Sequence, residues 1–205
     1  MGKKLVIFDF DGVLADTLEF AFKVHKDLNG NLTWEKFQDF SIGNFHEKMD
    51  KAVKEEAYVI PSNFEQYYEE NLAMIGIKDV LRNTIFELKD TFTLAIVSST
   101  NSSHIANFLK KEKMFDCFSE ILGTDVHRNK AYKINSILQK YRIDQKNVVF
   151  VTDSLGDVLE ANECKIYSIG VTWGLHDKKT LKNGKPTAII DDPRDLFKTI
   201  QGVLK

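Results

Sequence analysis

The sequence predicts an α/β fold: a Rossmann-like parallel sheet with an all-helical domain inserted after the first strand. Short apolar runs that are typical of buried strands alternate with helical patterns along most of the chain. One long stretch near the amino terminus breaks this alternation and contains only helical patterns. The length of 205 residues is enough for one core domain together with a smaller insert.

Buried strands are predicted where β-branched and apolar residues follow one another with almost no charge. Such segments stand at residues 5–9, 93–98, 120–123, 147–153 and 166–172, with a sixth, weaker one at 188–191. The patterns between them space apolar residues at helical intervals, as at Leu81, Ile85 and Leu88. Alternating strands and helices predict a parallel sheet covered on both faces. The last helix is expected to begin at Pro193, capped by Asp192.

The stretch at residues 15–77 contains no convincing strand but several amphipathic helical patterns. We therefore predict a helical cap at residues 16–77 and an α/β core formed by residues 1–15 and 78–205. The crossings near residues 16–17 and 76–77 would be its hinges. An aromatic set is expected to form the cap's own core: Phe37, Phe40, Phe45, Phe64, Tyr67 and Tyr68.

Composition argues against several functional classes. With 43% hydrophobic and 28% charged residues, the chain has an ordinary globular composition, and a net charge of −2 disfavours nucleic acid as a partner. The apolar run at residues 5–8 is too short for a signal peptide or a membrane span. Cys117 and Cys164 are far apart without metal-ligand spacing, which favours buried thiols in the reducing cytoplasm. The oligomeric state stays open between monomer and homodimer.

Polar side chains stand where the predicted strands end. Asp9 and Asp11 follow the first strand, Ser98 ends the second, and Asp153 ends the fourth, with Asp157 four residues later. Ligands of open parallel sheets bind at the carboxyl ends of the strands, near the point where strand order reverses. Because several carboxylates crowded together repel one another, a hard divalent cation with oxygen ligands is the expected compensation. Mg²⁺ fits that requirement.

These motifs resemble those of the haloacid dehalogenase-like hydrolase superfamily. The sequence DFDGV at residues 9–13 matches the first motif, and VTDSLGD at residues 151–157 matches the fourth. Ser98 matches the second motif, and Lys130 matches the third less neatly. The resemblance extends from residue 5 to residue 174. The helical insert resembles the cap of the subfamily that contains phosphoglycolate phosphatases and beta-phosphoglucomutases.

The resemblance implies a role for each carboxylate. Asp9 would attack phosphorus and form an aspartyl-phosphate. Asp11 would protonate the leaving oxygen and then activate the water that cleaves the intermediate. The Asp9 carboxylate, the Asp11 backbone carbonyl and the Asp153 carboxylate would bind Mg²⁺. Asp157 would help through a water molecule or by holding a neighbouring group.

The resemblance also implies two phosphate-binding positions. Ser98 would donate a hydrogen bond to a phosphoryl oxygen, and the adjacent Ser99 is a second candidate for this contact. Lys130 would neutralise charge on the transferring group. Many relatives carry a proline directly after this lysine, whereas this chain has alanine there. Lys133, one helical turn later, therefore competes with Lys130 for the role.

A glycine-containing turn in the cap suggests residues that contact the substrate. Asn44 and His46 follow this turn, and cap loops of relatives reach over the active site. We therefore expect substitution of Asn44 or His46 to shift KM between substrates. The five histidines show no metal-ligand spacing, so surface or hydrogen-bonded core roles are expected for the others.

The leading functional prediction is a phosphatase of a small phosphorylated metabolite, either phosphoglycolate-like or a sugar phosphate. A phosphomutase is the alternative, but residues 15–77 contain no arginine, and such mutases carry a threonine and arginine pairing in the cap. A dehalogenase is disfavoured because it does not use an aspartate at the position of Asp11. Non-catalytic phosphoacceptor domains carry their acceptor after the third strand and lack the helical insert.

Overall fold

The computed structural model describes residues 4–205, which contain a sheet of six parallel strands. The strands are β1 (Leu5–Phe8), β2 (Thr93–Val97), β3 (Glu120–Leu122), β4 (Val148–Thr152), β5 (Tyr167–Val171) and β6 (Ala188–Ile190). Their order in the sheet is β3-β2-β1-β4-β5-β6, and every neighbouring pair is parallel. The predicted α/β class is confirmed, and all six predicted strands are present.

Ten α-helices connect and extend these strands within the described residues. They are α1 (Leu18–Leu28), α2 (Trp34–Asp39), α3 (Phe45–Lys54), α4 (Phe64–Leu72), α5 (Asp79–Lys89), α6 (Ser102–Lys111), α7 (Lys130–Tyr141), α8 (Leu155–Glu163), α9 (Lys178–Lys182) and α10 (Leu196–Val203). The predicted start of the last helix is corrected in one respect. Asp192 does cap the backbone amide of Arg194, but Pro193 opens a short 3-10 turn, and α10 begins only at Leu196.

Strand β1 forms the centre of the hydrophobic core. Its four residues are fully buried because β2 and β4 flank it and helices cover both faces of the sheet. Side chains alternate between the faces, so Val6 and Phe8 pack in one apolar layer while Leu5 and Ile7 pack in the other. This burial on both faces accounts for the uninterrupted apolar sequence of the strand.

The order of the strands reverses at β1. The chain first adds β2 and β3 on one side of β1, and later adds β4, β5 and β6 on the other. The carboxyl ends of β1 and β4 are therefore neighbours, with the Asp9 amide donating to the Val151 carbonyl over 2.9 Å. This is the switch point at which open α/β sheets bind their ligands.

Helices α1–α4 lie between β1 and β2 in the sequence, and we call residues 16–77 the cap; its status as a separate domain stays a prediction. Phe37 and Met49 pack in an apolar cluster with Leu175 from the rest of the chain. The expectation that every cap aromatic belongs to the cap's own core is wrong for Phe64 and Tyr68. Both pack against the main cluster that contains β1, because α4 lies over the end of the sheet.

No helix within residues 4–205 is both long enough and apolar enough to cross a bilayer. Cys117 and Cys164 are buried and form no disulfide. This agrees with the prediction of two buried thiols.

Candidate active site

Asp9 and Lys130 form a buried ion pair at the switch point. Asp9 directly follows β1, and Lys130 is the first residue of α7. The Lys130 Nζ lies 2.9 Å from Asp9 Oδ2 and 2.8 Å from Asp157 Oδ2. The other Asp9 oxygen accepts a 2.7 Å hydrogen bond from the Phe10 amide. Lys130 therefore bridges two carboxylates that are distant in the sequence.

The carboxylates of this cluster differ in their proton affinity. Burial raises the pKa of Asp9 well above its usual range; Lys130 opposes this, while the charges of Asp157 and Asp153 add to it. Burial would also raise the pKa of Asp157, but Lys130 and a 2.7 Å hydrogen bond from Thr152 Oγ1 help to hold it below the usual value. Burial opposes the charged form of Lys130 too, yet its two acidic neighbours raise its pKa. Added positive charge would therefore favour the ionised form of Asp9.

Asp153 lies directly against two glycines. Its Oδ2 accepts a 2.7 Å hydrogen bond from the Leu175 amide, and burial raises its pKa to about 7 against the pull of that bond. A Cβ atom added at Gly12 would stand 2.0 Å from this oxygen, and one at Gly174 would stand 2.2 Å from it. Any side chain at either glycine would displace the carboxylate, and the positive φ of 70° at Gly12 also favours glycine.

The available donors suit a hard cation. Asp9 and Asp153 supply buried carboxylates, and the Asp11 carbonyl accepts no hydrogen bond within the described residues. Oxygen ligands of this kind are those that Mg²⁺ prefers. Residues 4–205 contain no cluster of three or more potential metal-ligating side chains.

Four hydroxyl groups surround the carboxylate of Asp11. Thr17 Oγ1 and the Tyr68 hydroxyl donate to Oδ1, the former over 2.7 Å. Thr100 Oγ1 donates to Oδ2 over 2.7 Å, and Ser98 Oγ over 3.3 Å. The donors come from the hinge, the cap and the loop after β2. The candidate acid/base is therefore held by groups on both sides of the cavity.

Sequence reasoning missed three of these four donors. Thr17 was predicted only as a hinge residue, and Tyr68 only as part of the cap core. Thr100 stands two residues after Ser98, and alternation along an extended segment is a signal that could have indicated it. Nothing in the sequence indicates Tyr68. Burial and the Asp11 charge raise the pKa of Tyr68 well above its usual value, so its hydroxyl stays protonated and can donate.

The two competing lysines have different environments. Lys130 contacts the Asp9 carboxylate, as described above. Lys133 is fully buried and donates to two backbone carbonyls, those of Ser98 at 2.5 Å and Gly123 at 3.2 Å. Burial lowers the pKa of Lys133 to about 8. Lys133 thus joins the ends of β2 and β3, and Lys130 is the lysine beside the candidate nucleophile.

A cavity of about 150 Å³ lies between the cap and the rest of the chain. Its polar end is lined by Asp9, Asp11, Ser99, Thr100, Lys130, Asp153 and Asp157. Ser98 is fully buried and is not among the lining residues. The cap contributes an apolar and aromatic wall formed by Leu18, Ala21, Phe37, Phe45 and Phe64. The cavity therefore combines a charged end with a largely apolar one.

The two cap residues that were predicted to contact substrate have different positions. Asn44 lines the cavity, and its Nδ2 donates a 3.0 Å hydrogen bond to Glu160. His46 is not among the lining residues; its Nε2 lies 3.3 Å from Thr124 Oγ1. Burial and the nearby Arg128 lower the pKa of His46 to about 4. The structure thus brings Asn44 to the cavity and His46 to the contact between cap and core.

The cap loop at residues 41–43 contacts the first turn of α8. The Gly156 amide donates a 2.8 Å hydrogen bond to the Ser41 carbonyl. A Cβ atom added at Gly156 would stand 2.1 Å from the Gly43 carbonyl oxygen and 2.7 Å from that of Ser41. The glycine of the fourth motif, Gly156, therefore lies where the backbone of the cap loop comes into close contact with α8.

Two further polar contacts join the cap to the core at the rim of the cavity. Arg128 donates to both oxygens of Asp50 on α3, over 2.8 and 3.1 Å. His104 on α6 lies 2.7 Å from Glu65 on α4. Arg128, Glu65 and His104 also line the cavity. The cap is held against the core by contacts on both of its sides.

Comparison with known proteins gives matches along nearly the whole chain. The family model described as haloacid dehalogenase-like hydrolase matches residues 6–171. A phosphoglycolate phosphatase from Vibrio cholerae is 26% identical over 219 aligned residues, covering 96% of each chain.

Solved structures show the same fold. A predicted phosphoglycolate phosphatase from Haemophilus somnus has a TM-score of 0.76 and 26% identity, covering 96% of this chain and 97% of that one. A candidate beta-phosphoglucomutase from Thermotoga maritima has a TM-score of 0.70 and 21% identity, covering 98% and 100%. The second likeness concerns the fold alone.

Proposed function

The chain belongs to the haloacid dehalogenase-like hydrolase family, and we propose that it is a magnesium-dependent phosphatase of a small phosphorylated metabolite. Its membership confirms the resemblance that the motifs indicated, and its class is that of phosphoric monoester hydrolases. The observation that carries the proposal is the buried pair of Asp9 and Lys130 at 2.9 Å, with Asp11 two residues away on the same segment.

Asp9 is the proposed nucleophile. Its Oδ1 is oriented by the Phe10 amide, and its Oδ2 faces the Lys130 ammonium. Attack on phosphorus would give an aspartyl-phosphate. Lys130 can neutralise negative charge on the transferring phosphoryl group, since it already lies within hydrogen-bond distance of the attacking carboxylate.

Asp11 is the proposed acid and base. Its four hydroxyl donors orient the carboxylate beside the nucleophile, and both Thr100 and Tyr68 lie at the cavity wall. An acid in this position can protonate the leaving oxygen, and the carboxylate that results can take a proton from the attacking water. The same group would thus serve both half-reactions.

Asp9, Asp153 and the Asp11 carbonyl would hold Mg²⁺. A bound divalent cation supplies positive charge between the carboxylates and the substrate phosphate. Burial and mutual repulsion raise the pKa of Asp9, so both the negative nucleophile and the negative substrate need that charge. Asp157 would act indirectly, by holding Lys130 in place over 2.8 Å.

The proposed substrate is a small phosphate ester, because the cavity is enclosed between cap and core. A phosphoglycolate-like compound follows from the names of the relatives, and a sugar phosphate is the second candidate, predicted from the sequence. Ser99 and Asn44, which line the cavity, are proposed contacts for phosphate or substrate. Ser98 is buried behind the lining and would have to turn its hydroxyl away from Asp11 to contact phosphate, and His46 keeps only an indirect role through Thr124. The cytoplasmic location, the absence of nucleic-acid and membrane partners and the monomeric or homodimeric state stay predictions.

A phosphomutase is less well supported. The similarity to a candidate beta-phosphoglucomutase is 21% and concerns the fold, which hosts many chemistries. Residues 15–77 contain no arginine that could hold a second phosphate of a bisphosphate intermediate. A mutase would need a bisphosphate activator, so turnover without one supports the phosphatase.

The test is phosphate release from a panel of phosphorylated metabolites with Mg²⁺, measured for the wild type and for Asp9→Asn. We expect release by the wild type and a loss of at least about 10³-fold in the variant, since no nucleophile remains. Asp27→Asn makes the same chemical change at an exposed cap position and should retain full activity. Equal release by the wild type and Asp9→Asn would refute the proposed nucleophile.

A further inference from the structure

The two strongly basic side chains that line the cavity are each already paired with carboxylates. Lys130 contacts Asp9 and Asp157 at the polar end. Arg128 lies at the rim, where both of its terminal nitrogens are hydrogen-bonded to Asp50 of the cap. Bidentate pairing of this kind satisfies the arginine in both charge and geometry. Lys130 serves the phosphate end, and Arg128, whose pair with Asp50 is partly exposed, contacts a further anion at the cost of that pair.

The two histidines of the cavity wall supply no free positive charge either. His104 lies 2.7 Å from the Glu65 carboxylate, which offsets any charge the ring carries. His25 is buried among aromatic rings and hydrogen-bonded to the Tyr58 hydroxyl. Burial lowers the pKa of His25 to about 4, so the ring is neutral at physiological pH.

The rest of the wall is acidic, apolar or neutral and polar. Glu65 and Glu160 both line the cavity, together with neutral groups such as Asn44 and Asn101. No lysine or arginine of the cap lines it, as judged over the described residues. The cap wall is made of Leu18, Ala21, Phe37, Phe45 and Phe64. A carboxylate or a second phosphate placed here would be desolvated without a free counter-charge, which disfavours its binding.

We propose that this cavity selects phosphate monoesters with an uncharged leaving group and discriminates against substrates that carry a second negative charge. The inference rests on the proposed phosphatase function and narrows its substrate class. Of the two substrate classes proposed above, it favours a sugar phosphate, or another phosphate ester of a neutral alcohol, over a phosphoglycolate-like compound. Asp50 contributes by occupying Arg128, the one arginine at the wall among residues 4–205.

The proposed discrimination by charge is tested by measuring ligand binding instead of turnover. Titration calorimetry uses the Asp11→Asn protein, which lacks the proposed acid and base but keeps the Asp9–Lys130 pair and the groups proposed to hold the metal. At pH 8 with Mg²⁺ it compares 2-phosphoglycolate with 2-hydroxyethyl phosphate, which are similar in size but differ by one charge. We expect 2-hydroxyethyl phosphate to bind at least about tenfold more tightly. Equal or tighter binding of phosphoglycolate, or failure of 2-hydroxyethyl phosphate to bind, would overturn the inference. Because ligand binding does not require the chemical step, a failure of this binding prediction can be distinguished from a failure of the proposed phosphatase reaction.

A second variant tests the part played by Arg128. Asp50→Asn, added to the Asp11→Asn protein, removes the partner that occupies the guanidinium, so phosphoglycolate should gain about tenfold in affinity while the affinity for 2-hydroxyethyl phosphate is unchanged. Glu55→Gln removes one negative charge from the exposed end of the same helix and should change neither affinity. No change on Asp50→Asn, or an equal gain in Glu55→Gln, would contradict the role of Arg128.

Discussion

Substitution of Gly156 by alanine should prevent the cap from closing without unfolding the protein. Gly156 belongs to α8, and its amide is bonded to the Ser41 carbonyl of the cap loop. Its backbone conformation is one that alanine adopts freely, since Gly156 is not among the residues with positive φ. The nearest atoms to the new methyl group would be those of the cap loop, at the Gly43 and Ser41 carbonyls.

The size of the effect follows from two distances. The added Cβ would stand 2.1 Å from the Gly43 oxygen, whereas non-bonded heavy atoms prefer about 3.5 Å, so the loop must retreat by more than ~1 Å. That movement breaks the hydrogen bond to Ser41, worth about 1 kcal/mol. Alanine is better than glycine inside a helix by about 1 kcal/mol, which offsets that loss. A misplacement of ~1 Å can nevertheless cost about 10²-fold in rate.

The assay compares kcat/KM and the free energy of unfolding for the wild type, Gly156→Ala and Gly202→Ala. Gly202 is also helical, but a Cβ added there would meet no atom within 4 Å. We expect a loss of about 10²-fold in kcat/KM for Gly156→Ala with nearly unchanged stability. Gly202→Ala should keep full activity. Full activity of Gly156→Ala would refute the reasoning, because the loop would then yield freely or closure would not matter.

Three further predictions concern the charged groups. Lys130→Met should lower kcat by at least about 10²-fold because it removes the cation beside the nucleophile. Lys133→Met should instead lower the free energy of unfolding by about 1–3 kcal/mol, because two buried carbonyls lose their donor. Measurements of kcat and of urea unfolding on both variants distinguish the two effects. Chelation by EDTA should abolish phosphate release, and added Mg²⁺ should restore it. His25, whose pKa falls from 6.5 to about 4 on folding, takes up a proton more readily when the chain is unfolded. Its contribution alone should therefore lower stability by about 2 kcal/mol from pH 7 to pH 5, with His46 adding to the fall, and the fall should be smaller in His25→Phe.

Each of these predictions has a result that contradicts it. Loss of activity in Lys133→Met but not in Lys130→Met would reverse the assignment of the two lysines. Phosphate release that persists after chelation would exclude the metal site. An equal dependence of stability on pH in the wild type and His25→Phe would show that other groups titrate in that range, and His46 and His176, whose pKa values burial also lowers, would be examined next.

The strands and the main carboxylates could be predicted because short-range patterns determine them. Asp9 and Asp153 stand directly after buried strands, and parallel pairing brings the ends of such strands together. Tyr68 could not be predicted in the same way. Its hydroxyl reaches Asp11 only because α4 lies over the end of the sheet, and neither the helical period of α4 nor its aromatic residues specify that position. Contacts between cap and core depend on docking that no local pattern encodes.

Lys130 and Lys133 illustrate a second limit. Both belong to the first turn of α7, and motif spacing left them as competitors. The direction of each side chain decides between them, and this direction depends on how α7 packs against the sheet. Although the two residues are one helical turn apart, the Lys130 ammonium lies beside the nucleophile, whereas the Lys133 ammonium joins the ends of two strands.

The central position of β1 has a consequence for the folding of the chain. β1 pairs with β2 and with β4, so its neighbours are separated from it by residues 9–92 on one side and by residues 9–147 on the other. Pairings this distant in sequence form slowly, although loop closure costs only slightly more as the loop lengthens. During synthesis, the segments that carry the nucleophile and the cap emerge from the ribosome first. The catalytic pocket cannot form until β4 has emerged as well. Enzymatic activity should therefore be among the last properties that a newly made molecule acquires.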